Sequence, residues 1–157
     1  MSVFTINAEV SGKEELERKL RTISANMRGQ IALNAVSAGG SDVEQFAKTN
    51  IANVFSDRQH LGGGGLAGSI TVETSLGKDG ASAVIAPHKE YDRIQELGGT
   101  ITAHGGDKAM LKFQIDGQWY QKHSVTLPAR PYMRPAAEEH QEEIFNDMKE
   151  QIERGLQ

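Results

Sequence analysis

The chain has 157 residues, the size of one ordinary domain, and its 38% hydrophobic and 24% charged residues exclude a disordered or fibrous composition. It contains no cysteine, which excludes disulfide frameworks, cysteine-ligated zinc and thiol nucleophiles together and suits a chain made and used in reducing cytosol. Seventeen Lys and Arg against 21 Asp and Glu leave a net charge of −4, which argues against the basic face of a dedicated phosphate-backbone binder.

Residues 1–10 lack a basic region followed by an unbroken apolar stretch, and no window approaches the roughly 18 to 20 apolar residues of a membrane span. Neither a standard export signal nor membrane insertion is therefore expected. In residues 3–10, Phe4, Ile6, Ala8 and Val10 alternate with Thr5, Asn7 and Glu9, the period of a half-buried strand. Ser11-Gly12 breaks it. From Lys13 onward Leu16, Leu20, Ile23 and Met27 recur at helical steps between charged residues, predicting an amphipathic helix.

Residues 28–53 predict a second helix with Ile31, Ala35, Val43, Phe46, Ala47 and Val54 toward the core. Gly39-Gly40 interrupts it at about 1 kcal/mol each relative to Ala, and predicts either a kink or a stop with Ser41 or Asp42 as the next N-cap. Residues 56–65 end in four glycines, Gly62 to Gly65, and predict a flexible loop. Residues 69–74 and 82–87 read as a hairpin around the turn at residues 77–80.

Residues 91–97 predict a short helix closed by Gly98-Gly99. Residues 110–115 and 119–125 predict a second hairpin turning at Asp116-Gly117. Residues 127–135, with three prolines, form an extended connector into a helix over residues 136–156. That helix carries Ile144, Met148, Ile152 and Leu156 on one stripe with Phe145 beside it. Its other faces hold seven acidic residues against Lys149 and Arg154. The expected class is α+β: an antiparallel sheet of two hairpins plus an N-terminal strand, packed by a long N-terminal helical region and a C-terminal helix. One domain is expected over residues 1–157, with a Gly-rich loop at about 56–66.

Sites for chemistry are poorly marked. The run from Leu61 to Ser69 has Gly68, not Lys, before its Ser and leads into a strand, so it lacks the parts of a phosphate loop. The five histidines show no His-x-x-x-His spacing, although His88, Glu90 and Asp92 lie close together. No Gly-x-Ser-x-Gly elbow occurs. No catalytic residue, metal ligand or cofactor is expected. Two segments stand out instead. One is Tyr91 to Gly99. The other is Ala129 to Ala136, where Pro131 and Pro135 fix a path that presents Tyr132 and Met133 with Arg130 and Arg134 beside them. Tyr132 suits a partner anchor or an ordinary core position equally.

In order, these segments resemble the phage head-tail joining, neck or tail-completion proteins typified by lambdoid siphophages, and the related virion morphogenesis proteins of Mu-like phages. A Gly-x-Leu-x-x-Ser-Ile stretch is matched by Gly64, Leu66, Ser69 and Ile70. A Tyr-x-x-Ile-x-Glu-x-Gly motif is matched by Tyr91, Ile94, Glu96 and Gly98. An Ala-Arg-Pro-aromatic-x-x-Pro-Ala motif is matched by Ala129, Arg130, Pro131, Tyr132, Pro135 and Ala136. The likeness covers nearly the whole length. It departs at Tyr132, where phenylalanine is common, and at Gly39-Gly40, which interrupts what should be one long helix.

The resemblance implies a non-enzymatic structural virion protein at the head-tail junction, assembled in the host bacterial cytoplasm as a ring around the DNA passage. Its implied partners are further copies of itself, head-closure or connector proteins, and tail tube or tail terminator proteins, with DNA passing through unread. Leu66, Ser69, Tyr91, Glu96, Gly98, Arg130, Pro131, Tyr132, Arg134 and Pro135 are the implied interaction candidates. Two alternatives remain: a tail terminator or minor tail protein, and, from another class, a small cytosolic metal-dependent hydrolase using His88 to Asp92.

Overall fold

The computed structural model describes residues 4–5, 25–55, 64–78, 80–106, 109–115 and 117–157. The helix expected over residues 13–27 and most of the glycine loop lie outside them; Met27, inside, is exposed. The protein is α+β, and its chain divides into two compact units, Met1–Lys89 with Tyr132–Gln157, and Glu90–Pro131.

The first unit is organised by one long helix, α1 (Ala25–Val54). Ile31, Ala35, Gly39, Val43, Ala47 and Ile51 are buried along it at four-residue steps, and Phe55 continues the series. With 3.6 residues per turn each such step advances the stripe by about 40°, so it winds around the helix and meets different neighbours along its length. Those neighbours are strands β2 (Ile70–Gly77) and β3 (Gly80–Pro87) and helices α3 (Met133–Glu138) and α4 (Gln141–Gly155).

The expected break at Gly39-Gly40 does not occur: α1 runs through both glycines. A Cβ on Gly39 would stand 2.8 Å from Met148 Cγ, and one on Gly40 2.7 Å from Val72 Cγ1 and 3.3 Å from Ala83 Cβ. The pair lets α4 approach one side of the helix and the sheet another. The low helix propensity of glycine is offset by that close packing. Ile51, absent from the expected core, is fully buried, whereas Val54 is exposed at the helix end.

Strand β1 (Phe4–Thr5) pairs with β3, giving a three-stranded antiparallel sheet of order β1-β3-β2 with Phe4 opposite Ile85 and Ile70 opposite Pro87. The first expected hairpin is present and longer than its apolar pattern, turning where Gly77 faces Gly80. The C-terminal helix is two. The chain turns at Glu139 and His140 and restarts as α4, which buries Ile144 and Met148.

The second unit holds the short helix α2 (Asp92–Leu97) and four strands, β4 (Gly99–Thr102), β5 (Leu111–Ile115), β6 (Gln118–Lys122) and β7 (Ser124–Leu127). The second expected hairpin forms as β5–β6, but as a two-stranded sheet of its own and not as part of the first. It is nested within a second ribbon, β4–β7, in which Gly99 faces Leu127 and Thr102 faces Ser124. His123 separates β6 from β7: its carbonyl accepts the Ala103 amide at 2.8 Å and its Nδ1 lies 3.0 Å from the Ala109 carbonyl oxygen.

Candidate functional site

The motif at residues 64–70 serves a local joint. Leu66 is fully buried, and Ala67–Ser69 make a 3₁₀ turn leading into β2. The Ser69 hydroxyl donates to the Leu66 carbonyl at 2.8 Å and accepts the His88 amide at 3.3 Å, fastening the turn to the end of β3. His88 Nε2 lies 2.8 Å from Thr71 Oγ1. The imidazole is thus engaged by a neighbouring strand.

The two segments that stood out in the sequence meet within the second unit, where residues 91–98 lie against Ala129 and Arg130. Gly98 closes α2 with φ +69°, its amide donating to the Ile94 carbonyl at 3.0 Å. A Cβ there would stand 2.6 Å from the Ala129 nitrogen, so the position demands glycine twice over. The Arg130 amide donates to the Gln95 carbonyl at 2.8 Å, completing the junction of Tyr91–Gly98 with Ala129–Arg130. Tyr91 precedes the helix and is half-buried. Asp92 accepts the Arg93 amide through Oδ1, and both Asp92 and Glu96 are buried.

Tyr132 and Met133 are fully buried in the first unit, where Asn50 Nδ2 donates to the Tyr132 carbonyl at 3.1 Å. Tyr132 is therefore a core residue, and neither it nor Leu66 offers surface to a partner. Arg130 and Arg134 are exposed, while Pro131 and Pro135 are half-buried, Pro135 in the first turn of α3 where proline fits. Among the described residues, no three His, Asp or Glu side chains gather in a way that could hold a metal.

Where α1 meets α4, the Asp42 carboxyl is held above the usual carboxylate range by burial, with Asp147 and Glu143 raising it further. Its Oδ2 is shut away from water and has no hydrogen-bond partner among the described residues. Beyond it, the α3–α4 turn forms a hollow lined by Glu138, Glu139, His140, Glu142, Glu143 and Asp147. His140 stacks on Phe46 with ring centres 3.7 Å apart, and its Nδ1 lies 3.5 Å from Glu143 Oε2.

Sequence motifs missed an exposed apolar surface on β5 and β6. Direct cross-strand partners share a face, so the register of β5–β6 puts Leu111, Phe113, Ile115 and Tyr120 on one side and Trp119 on the other. Phe113 and Tyr120 stack at 5.8 Å. Ile115 is 52% exposed and Trp119 72% exposed. The available signal was the apolar alternation of Leu111, Phe113 and Ile115 itself, which predicts a covered face; among the described residues Leu111 and Phe113 are half-buried and Ile115 is exposed.

No protein-family model, curated protein or solved structure matches the chain. Among the described residues, no helix is long and apolar enough to cross a membrane.

Proposed function

We propose that the chain is a structural subunit of a tailed-bacteriophage virion that joins head and tail, or completes the tail, as one member of a ring around the DNA passage. It assembles in the bacterial cytoplasm and contacts copies of itself, head-closure or connector proteins, and tail tube or terminator proteins. No reaction is assigned to it. The observation that carries the reading is the second unit: among its described residues no apolar side chain is buried, and Ile115, Trp119 and Tyr120 stand in solvent. Soluble proteins seldom leave such apolar groups together unless a partner covers them. A subunit that is completed only in its assembly has this form.

The motifs at residues 64–70, 91–98 and 129–136 act in this reading as joints that hold the surfaces, not as the surfaces themselves. The acidic exterior of α4 suits a lumen wall that repels the DNA backbone, or a contact with a basic neighbour. Solution mass by light scattering across a concentration range, with negative-stain images of the same sample, tests the reading. Annular particles of one symmetry are expected. A chain that remains monomeric throughout overturns it.

A further inference from the structure

We propose that the β5–β6 ribbon of one copy docks on the carboxylate-rich face around the α3–α4 turn of a second copy. This deepens the ring reading and rests on it. Among the described residues the ribbon is a two-stranded sheet with an unpaired outer edge on each strand. Isolated two-stranded ribbons are marginal in water, and stability normally requires a third strand or a covering element. Here the face carrying Leu111, Phe113, Ile115 and Tyr120 remains in part open to solvent, and Trp119 projects from the opposite face.

Charge selects the occupant. The charged side chains of β5 and β6 are Lys122 on the face of Leu111, Phe113 and Ile115 and Lys112 on the face of Trp119, and with Asp116 at the turn between the strands the ribbon is apolar with a small net positive charge. The hollow at the α3–α4 turn is its complement, with Glu138, Glu139, Glu142, Glu143 and Asp147 around it. Phe145, 42% exposed, is the apolar residue of α4 one helical turn from Glu142. Both halves of the match lie on the same chain. A contact of this kind joins two different surfaces, leaves one of each free on every copy, and closes into a ring when the rotation per subunit permits.

Trp119 is the only tryptophan of the chain, so its emission reports the ribbon alone. On association its emission is expected to move to shorter wavelength and its quenching by iodide to fall. The Lys112→Glu/Lys122→Glu double variant is expected to weaken association about 10- to 100-fold, the scale of close interfacial charge pairs. Adding Glu139→Lys/Glu142→Lys is expected to restore much of it. Both pairs of positions are exposed, so these variants leave the cores intact.

Zero-length carbodiimide cross-linking of an equal mixture of isotopically heavy and light protein gives the second readout. Links from Lys112 or Lys122 to α4 glutamates in mixed-isotope pairs support the proposal. Links confined to pairs of one isotope show the ribbon folding onto its own chain and overturn it. Rings that form equally well in the Lys112→Glu/Lys122→Glu variant overturn the docking surface while leaving the ring reading intact. Closed dimers that depend on the ribbon keep the contact and overturn the ring. A wild-type chain that never associates overturns both.

Discussion

The two units are built on opposite terms. In the first, a helix is packed between a sheet and two further helices, and every buried apolar side chain among the described residues belongs to it. In the second, the only buried side chains among the described residues are the carboxylates Asp92 and Glu96, and order comes from backbone ladders and a glycine-dependent joint. One unit supplies cohesion within the chain. The other carries surface that gains cohesion when something covers it. Burial of apolar area dominates stability at about 25 cal/mol per Å², so the two should respond to substitution on different scales.

The largest contrast comes from truncating apolar side chains. Ile51→Ala, in the core of the first unit, should lower stability by about 2–5 kcal/mol in urea unfolding. Ile115→Ala, on the open ribbon, should change it by under about 0.5 kcal/mol. Equal losses would mean that the ribbon is covered within the free chain and would erase the distinction.

Glycines sharpen the same contrast. An interior helical Gly→Ala change ordinarily stabilises by up to about 1 kcal/mol. Gly40→Ala should instead destabilise by about 1–3 kcal/mol, because the new methyl meets the β-branched Val72 and Ala83. A raised unfolding midpoint would show that the sheet can retreat from α1. In the second unit, Gly98→Ala should raise amide exchange locally, at Arg130 and Leu127 above all, while exchange at Val43 and Ala47 holds. Its cost is about 1–3 kcal/mol of local strain.

Asp42 offers a probe of the α1–α4 contact. Its folded-state pKa is raised by burial and then by Asp147 and Glu143. The folded chain therefore holds this proton more tightly than the unfolded one, and the stabilisation is complete below the ordinary value of about 3.9 and lost as pH rises through the folded value. Asp42→Asn should raise the urea midpoint at neutral pH and flatten its decline between acid and neutral pH. An unchanged slope would assign the pH dependence to other groups. The smallest effect belongs to the half-buried i,i+4 pair of Lys48 and Glu44: Lys48→Ala should cost no more than about 0.5 kcal/mol in the same assay.

Much of the outline was legible in the sequence by local rules. Alternation marked β2, β3, β5 and β6. Helical spacing marked α1 and α4, and the glycine after Leu97 marked the end of α2. Strand β4 was overlooked, although Thr100-Ile101-Thr102 has the β-branched composition of a strand, because the segment is too short to show a period, and the first half of β7 was merged with β6 in the strand expected over residues 119–125. The candidate site was legible only in part. The Tyr91–Gly99 and Ala129–Ala136 segments were marked as unusual, yet a role as a joint depends on Gly98 lying against Ala129, a contact between positions far apart in the chain.

By itself the sequence determined the α+β class, the positions of the main helices and hairpins, the acidic exterior of α4 and the lack of cysteine chemistry. These follow from periodicity and composition, which act over a few residues at a time. Only the tertiary structure decided that Gly39-Gly40 is a packing seam and not a break, that Tyr132 is core, and that Ile115 and Trp119 of the β5–β6 ribbon are exposed among the described residues. Each of these depends on what lies across space from a residue. A glycine reads the same locally whether a chain bends there or another element presses against it, and an apolar strand reads the same whether its cover lies on its own chain or on a neighbour.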